Sequence, residues 1–340
     1  MNSLRYVKLF KEKFPEFFEA LKKWGEVHAP VKHGKFYSFK RVSSPGEVVL
    51  DYNRTMIPPK KFFIKPLEAI MKVKVGRGYE PIAEEPKRLV LLGLHACDIN
   101  GLRILDTVFM DEPKDPYYAT RRENAIIVGV SCKPDDHCFC KSMGADYAWV
   151  GFDLFLHDIE HSYIIRVGSL KGEEIVEGLG NLMVEPSQED FIKFRDFELN
   201  RSRMFKRALE LSHLPEIADA LYNSDLWTKF ADKCVGCTSC NLVCPTCRCY
   251  DVAENVDLSL KEGVRTRRWD SCFIRSHALV AGGLNFRPTR LDRFKHRYNC
   301  KSSMEPRTGL CFCVGCGRCS VFCPAGIDHV EVLNTLWGLT

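Results

Sequence analysis

Two runs of cysteine hold most of the chemistry this chain has to offer. CVGCTSCNLVCP sets Cys234, Cys237, Cys240 and Cys244 ahead of Pro245, and CFCVGCGRCSVFCP sets Cys313, Cys316, Cys319 and Cys323 ahead of Pro324, with Cys311 in front. Both read C-x2-C-x2-C-x3-C-P, the spacing found in two-cluster bacterial ferredoxins. Three thiolates two residues apart can wrap one side of a 4Fe–4S cube in a single tight loop. The fourth lies too far along to close on the same cube and reaches the neighbouring one. Cluster one is therefore assigned to Cys234, Cys237, Cys240 and Cys323, and cluster two to Cys313, Cys316, Cys319 and Cys244. The proline ends each ligand loop. Gly236, Gly315 and Gly317 are expected to let the loop backbone approach the sulfides. Structural zinc is the competing reading, but zinc sites favour paired C-x2-C halves with four ligands each.

A third set is less regular. GLHACDING supplies Cys97, and SCKPDDHCFC supplies Cys132, Cys138 and Cys140. Cys97 and Cys132 each follow a short apolar run of buried-strand type, RLVLLGL and NAIIVGVSC. Adjacent parallel strands would bring these ends together, where α/β folds place ligands. Four thiols meeting around a metal and buried thiols acting as small hydrophobes are both open on composition alone. A redox pair is a third option, though C-x-C is a poor thioredoxin motif. Cys247, Cys249, Cys272, Cys300 and Cys311 remain, read as packed thiols or as a further metal or sulfur-substrate site. His95, His137 and His296 stand near cysteines in sequence and are expected to be hydrogen-bonded rather than to act as ligands.

The elements that must position these residues follow from patterning. The chain has 340 residues, 17 cysteines, 45% hydrophobic and 27% charged residues and a net charge of +5. This is ordinary for a globular protein apart from the cysteines. The start lacks a signal-peptide h-region and no apolar run reaches the length of a membrane span. The chain is therefore placed in the cytoplasm, where thiols stay reduced and clustered cysteines more often bind metal. Phe10, Phe14, Phe17, Phe18 and Leu21 suggest an amphipathic helix. Residues 1–87 read as a mixed α/β region with a proline-containing loop, DYNRTMIPPKKFFIKP. Residues 88–225 read as α/β with the third cysteine set, followed by helix from about Gln188. Residues 226–340 read as a helical two-cluster domain with little strand. The fold class is thus α+β, an α/β part followed by an α-helical ferredoxin-like domain.

The 68 residues between Cys244 and Cys313 exceed a minimal ferredoxin and carry RTRRW and RPTRLDRFKHRYNCK. This basic stripe is expected to stabilise reduced, negatively charged clusters or to dock an acidic partner. No nucleic-acid motif accompanies it, so no nucleic-acid partner is expected. No dinucleotide fingerprint, P-loop, nucleophile elbow or H-E-x-x-H occurs, so the chain offers no site of its own for NAD(P), flavin or ATP.

Phrases spread along nearly the whole chain resemble a known family: LDYNRTMIPPKKFF, GLHACDINGL, DPYYATRREN, SCKPDDHCFCKSMGAD, CVGCTSCNLVCPTCRCYDV and CVGCGRCSVFCP. The family is the beta subunits of the cytosolic NiFe sulfhydrogenases of hyperthermophilic archaea. The sequence is also similar to the A subunit of anaerobic sulfite reductases. The resemblance implies a non-catalytic, electron-transferring iron–sulfur subunit of a hetero-oligomer. It would work with hydrogenase large and small subunits and a flavin subunit that binds NADP(H), and can be associated with sulfur or polysulfide reduction. It also favours a third cluster on Cys97, Cys132, Cys138 and Cys140. Related subunits serve sulfite reductase and formate dehydrogenase complexes, so those partners stay open. Two other readings are a catalyst reducing sulfur compounds at Cys247, Cys249 and Cys272, and a zinc-stabilised interaction module.

Overall fold

The computed structural model describes residues 5–85 and 87–338. Its centre is a seven-stranded sheet with helices on both faces. The strands are β1 (Tyr6–Phe10), β2 (Glu26–His33), β3 (Phe36–Arg41), β6 (Leu89–Leu94), β7 (Ala125–Val130), β8 (Leu154–Asp158) and β9 (Ser162–Val167), in the order β1-β9-β8-β7-β6-β2-β3. The central four, β8, β7, β6 and β2, run parallel, β9 and β3 run antiparallel to them, and β1 pairs antiparallel with β9. One sheet thus runs across residue 87. Central parallel strands are buried on both faces and read as near-continuous apolar runs, as LVLLGL and AIIVGV do. Their side chains still alternate. Val90 and Leu92 join Ile126 and Val128 under α1 (Phe14–Lys22) and α4 (Leu170–Leu179). Leu91 and Leu94 join Ile127 under α2 (Ala96–Phe109) and α3 (Pro116–Glu123). Phe10 ends β1, and the helix expected around it begins at Phe14.

A second sheet pairs β4 (Leu67–Lys74) and β5 (Gly78–Pro81) with the hairpin β10 (Tyr250–Val256) and β11 (Glu262–Trp269), in the order β10-β11-β4-β5. This corrects the expectation of little strand in residues 226–340. RTRRW lies in β11, and its arginines do not face thiols. Arg267 is buried against Glu68 and Asp115, Arg265 pairs with Glu254, and Arg268 pairs with Asp251. Alternating arginine with valine, threonine and tryptophan makes a strand whose charges are answered across the ladder.

The remaining helices are α5 (Gln188–Arg203), α6 (Leu214–Ala220), α7 (Leu226–Ala231), α8 (Ser239–Leu242), α9 (Arg290–Ser302), α10 (Arg318–Val321) and α11 (His329–Leu336). α9 begins with a reciprocal cap: Asp292 N–H donates to Thr289 Oγ1 at 3.1 Å, and the Asp292 carboxylate accepts from Thr289 N–H at 3.0 Å. It buries Phe294, Arg297, Tyr298 and Lys301, an i, i+3, i+4, i+7 stripe, so two cations point inward with the aromatics. Among the described residues, no helix is long and apolar enough to cross a membrane.

Candidate metal centres

The two cysteine runs fold as near copies. In the first, α8 follows Cys237 and carries Cys240. In the second, α10 follows Cys316 and carries Cys319. The N–H of Gly236 points at Cys234 Sγ at 3.4 Å, and that of Gly315 points at Cys313 Sγ at the same distance. Ser239 Oγ donates to the Phe322 carbonyl at 2.8 Å, tying the two loops together.

Two chambers lie between the loops. Cys234, Cys237, Cys240 and Cys323 all line one chamber. Cys244, Cys313, Cys316 and Cys319 all line another. The fourth thiol of each run therefore sits with the other run's triplet. Cys237 is exposed and Cys244 buried, so the first chamber lies nearer the surface. Among the described residues, no three His, Cys, Asp or Glu side chains converge closely enough to hold one metal ion. The donors that line both chambers are cysteine sulfurs, which fits iron–sulfur clusters.

Cys319 apart, the groups shared between the chambers escaped the reading of the sequence, beyond the general expectation of nearby basic residues. Arg297, Cys319 and His329 line both. Arg297 is almost wholly buried and donates to the Cys240 carbonyl at 3.2 Å. Burial works against its charge, but Cys240, Cys247, Cys244 and Cys319 outweigh it and hold the guanidinium charged. Lys301, one turn further along α9, is likewise held charged against burial by Cys244, Cys247 and Cys300. Its Nζ donates to Thr246 Oγ1 at 2.9 Å, and that hydroxyl lies 3.2 Å from Cys244 Sγ. His329 stacks on Tyr298 with ring centroids 5.0 Å apart. Burial, with Arg297 nearby, pushes its imidazole down to about 3, so the ring is neutral. The basic stripe thus divides: its RTRRW part braces a sheet, and its α9 part supplies the buried cations.

Cys97 stands in the first turn of α2, just after β6, and Cys132 just after β7; these two strands are parallel neighbours. Burial, and after it the nearby Cys132 and Cys138, push the Cys140 thiol well up, and burial, Asp98 and the nearby Cys140 do the same to Cys97, so the four thiols lie near one another at the carboxyl edge of the sheet. Burial pushes the Cys138 thiol up to about 12. Arg54 Nη2 reaches Cys138 Sγ at 3.3 Å, and Arg201 Nε donates to the Cys132 carbonyl at 2.9 Å. The Cys138–Cys140 loop also abuts the second run: Phe139 N–H donates to the Gly315 carbonyl at 2.9 Å. A Cβ on Gly315 would lie 2.5 Å from Cys140 N, and one on Gly317 would lie 2.4 Å from the His137 carbonyl oxygen. These two glycines give close approach to another backbone, which differs from the expected approach to sulfide.

The proline loop reaches all these groups. Tyr52 stacks on His95 with centroids 4.0 Å apart, and Thr55 accepts from Arg318 Nε at 2.8 Å through its carbonyl. Lys60 donates to the carbonyls of Asn241 and Cys247 at 3.3 and 3.2 Å. Against the expectation that these histidines are hydrogen-bonded, His95 Nε2 and His137 Nδ1 are buried without a partner among the described residues. His296, with Cys247, Cys249, Cys272 and Cys300, lines a third chamber, while Cys311 is packed in the core.

Both chambers fit four-iron clusters by donor type, number and compensating charge. Comparison with known proteins agrees. Residues 233–327 match the model of a 4Fe-4S dicluster domain. Over 331 residues the chain is 50% identical to sulfhydrogenase 2 subunit beta of Pyrococcus furiosus, covering 97% of this chain and 98% of that relative. With that identity along nearly the full length of both chains, the protein belongs to the sulfhydrogenase beta-subunit family.

Proposed function

We propose that this chain is the electron-transfer iron–sulfur subunit of a multisubunit sulfhydrogenase, relaying electrons between a hydrogenase module and a flavin subunit that handles NADP(H). The observation that carries it is the interlacing of two four-thiol chambers around Arg297, in a chain that matches a sulfhydrogenase beta subunit end to end. Cys234, Cys237, Cys240 and Cys323 would hold one cluster; Cys313, Cys316, Cys319 and Cys244 the next; Cys97, Cys132, Cys138 and Cys140 a third. Each cluster supplies one-electron transfer when bound.

The chain's own residues do the rest. Exchanged fourth ligands fix the first two sites side by side. Arg297 and Lys301 offset negative charge from buried positions, and the neutral His329 ring, stacked on Tyr298, stands in the wall between the chambers. Packing of the Cys138–Cys140 loop on Gly315 and Gly317 sets the third site against the second. A flavin partner is required wherever a nicotinamide is the terminal couple, because hydride carries two electrons.

The test is anaerobic purification of the native complex, followed by dithionite reduction and electron paramagnetic resonance. Cys323→Ala should abolish the signal of the cluster whose other three ligands are about 80 residues away in the first run. Retention of every signal in that variant, or a complex lacking nickel and flavin chains, would reject the reading.

A further inference from the structure

The third chamber belongs to neither cysteine run. Cys247, Cys249, Cys272 and Cys300 line it together with Arg297 and Lys301. We propose that these four cysteines bind an additional four-iron cluster beside the chamber that Cys244 lines.

The fold builds this quartet from far-apart segments. Cys247 and Cys249 precede β10, and Cys272 follows β11, so the hairpin returns the chain to where it started. Asp270 N–H donates to the Cys249 carbonyl at 3.1 Å and closes that end. Cys300 comes from α9, next to Lys301 in sequence. The insert that lengthens this region beyond a minimal ferredoxin thereby has a purpose: it brings two thiols from one end of a hairpin to two from the other end and from a helix.

The lining repeats the chemistry of the two neighbouring chambers. Each of the three is lined by at least four thiols, with Cys319 shared between the first two, and each has Arg297 as a buried cation. All four cysteines are free, so the quartet is not spent on disulfides. Arg248 Nη1 is buried on the rim without a hydrogen-bond partner, and Lys60 lies behind the chamber on the Cys247 carbonyl. A four-iron body needs one thiolate at each of four corners and carries net negative charge once ligated. Four sulfur donors and surrounding cations meet both needs. A sulfur-chain substrate would need one attacking thiol and leaves the other three unexplained, and a zinc ion would need the thiols to converge on a point.

The experiment uses the full chain in its anaerobic complex, with iron and acid-labile sulfide measured per chain. The quadruple variant C247S/C249S/C272S/C300S should lose about four irons and about four sulfides while keeping the signals of the two run-bound clusters. Cys300→Ser alone, which is milder on folding, should alter or abolish one signal and leave the rest, and Cys311→Ser should change nothing. The difference between variant and parent is read independently of how many other clusters the chain holds, so it stands apart from the Cys323→Ala test. Unchanged iron in both variants overturns the proposal. So does loss of one zinc per chain instead of iron, and so does full iron with loss of polysulfide reduction only, which would make the chamber a substrate site.

Discussion

Asp98 and Arg318 form a bidentate ion pair, at 2.7 and 2.9 Å, in which neither side chain is exposed to solvent. Asp98 follows Cys97 on α2, and Arg318 stands between Cys316 and Cys319. The pair is the charged joint between the edge of the large sheet and the second chamber, and Thr55 from the proline loop completes the guanidinium's hydrogen bonds. Removing one partner strands a buried charge. Asp98→Asn or Arg318→Met should each cost about 3–5 kcal/mol, and the double apolar replacement should recover much of it. Chemical denaturation of the three variants decides the matter: single variants within about 1 kcal/mol of the parent would mean that the joint carries little.

Gly317 and Thr238 occupy equivalent places in the two ligand loops, with φ of 71° and 69°. Both are left-handed, yet only one is glycine. At 317 a side chain would collide with the His137 carbonyl, whereas Thr238 already carries a side chain at the equivalent place and is half-buried, and a Cβ on Gly236 of the same loop would meet nothing within 4 Å. Gly317→Thr should therefore destabilise the protein by more than about 2 kcal/mol, combining backbone strain with a backbone clash. Thr238→Gly should be neutral or gain up to about 1 kcal/mol by relieving strain, less what the freer unfolded chain takes back. Equal effects at both positions would refute the asymmetry. Iron retention in Gly317→Thr reads the same contact from the side of the Cys138–Cys140 loop.

Much of the site was legible because ligand geometry writes itself into spacing. The C-x2-C-x2-C-x3-C-P runs point to a 4Fe-4S domain, and to each fourth thiol lying with the other run's triplet, without any knowledge of the fold. The strand-then-cysteine pattern at Leu94–Cys97 and Val130–Cys132 announces a sheet edge. What stayed hidden depends on tertiary approach. Nothing local marks Arg297 as shared by three chambers, since an arginine on an amphipathic helix reads as a solvated face. The β10–β11 hairpin was masked by its arginines, which look like a basic patch until Glu68, Asp115, Glu254 and Asp251 are seen opposite them. Cys272 and Cys300 lie too far from Cys247 for any spacing rule. The proline loop was recognisable as a phrase but unexplained. The structure supplies the reason, because Tyr52, Arg54, Thr55 and Lys60 each touch a different part of the thiol-bearing region.

Glu84 gives a pH dependence. Hydrogen bonds from Arg121, reinforced by Lys65, pull its carboxyl down to about 2 against a smaller opposing effect of burial. A carboxyl lowered on folding contributes stability that is complete above its ordinary value near 4.5 and is lost as pH falls through about 2. Acid unfolding should therefore steepen in that window, and Glu84→Gln should flatten it while leaving stability near neutral pH only slightly reduced, because the site is partly open to solvent. Parallel stability-versus-pH curves for variant and parent would show that the interaction is not maintained in solution.

Arg297 offers the most direct link between structure and electron transfer. Its charge faces both run-bound chambers and the quartet, and no second fully buried cation lines all three among the described residues. Adding an electron to a site already rich in thiolate is helped by a fixed positive charge in a water-poor setting. Arg297→Met keeps the volume and removes the charge, so the midpoint potentials of the run-bound sites should fall together, by on the order of 60 mV, a tenfold change in a one-electron equilibrium. Arg297→Lys should fall between the two, since a point charge on a shorter reach cannot serve several chambers equally. The measurement is a redox titration followed by electron paramagnetic resonance on the intact complex, with iron content checked first so that a lost cluster is not mistaken for a shifted one. A shift confined to one signal would mean that the guanidinium serves one chamber only, and a rise in potential would reverse the sign of the electrostatic argument.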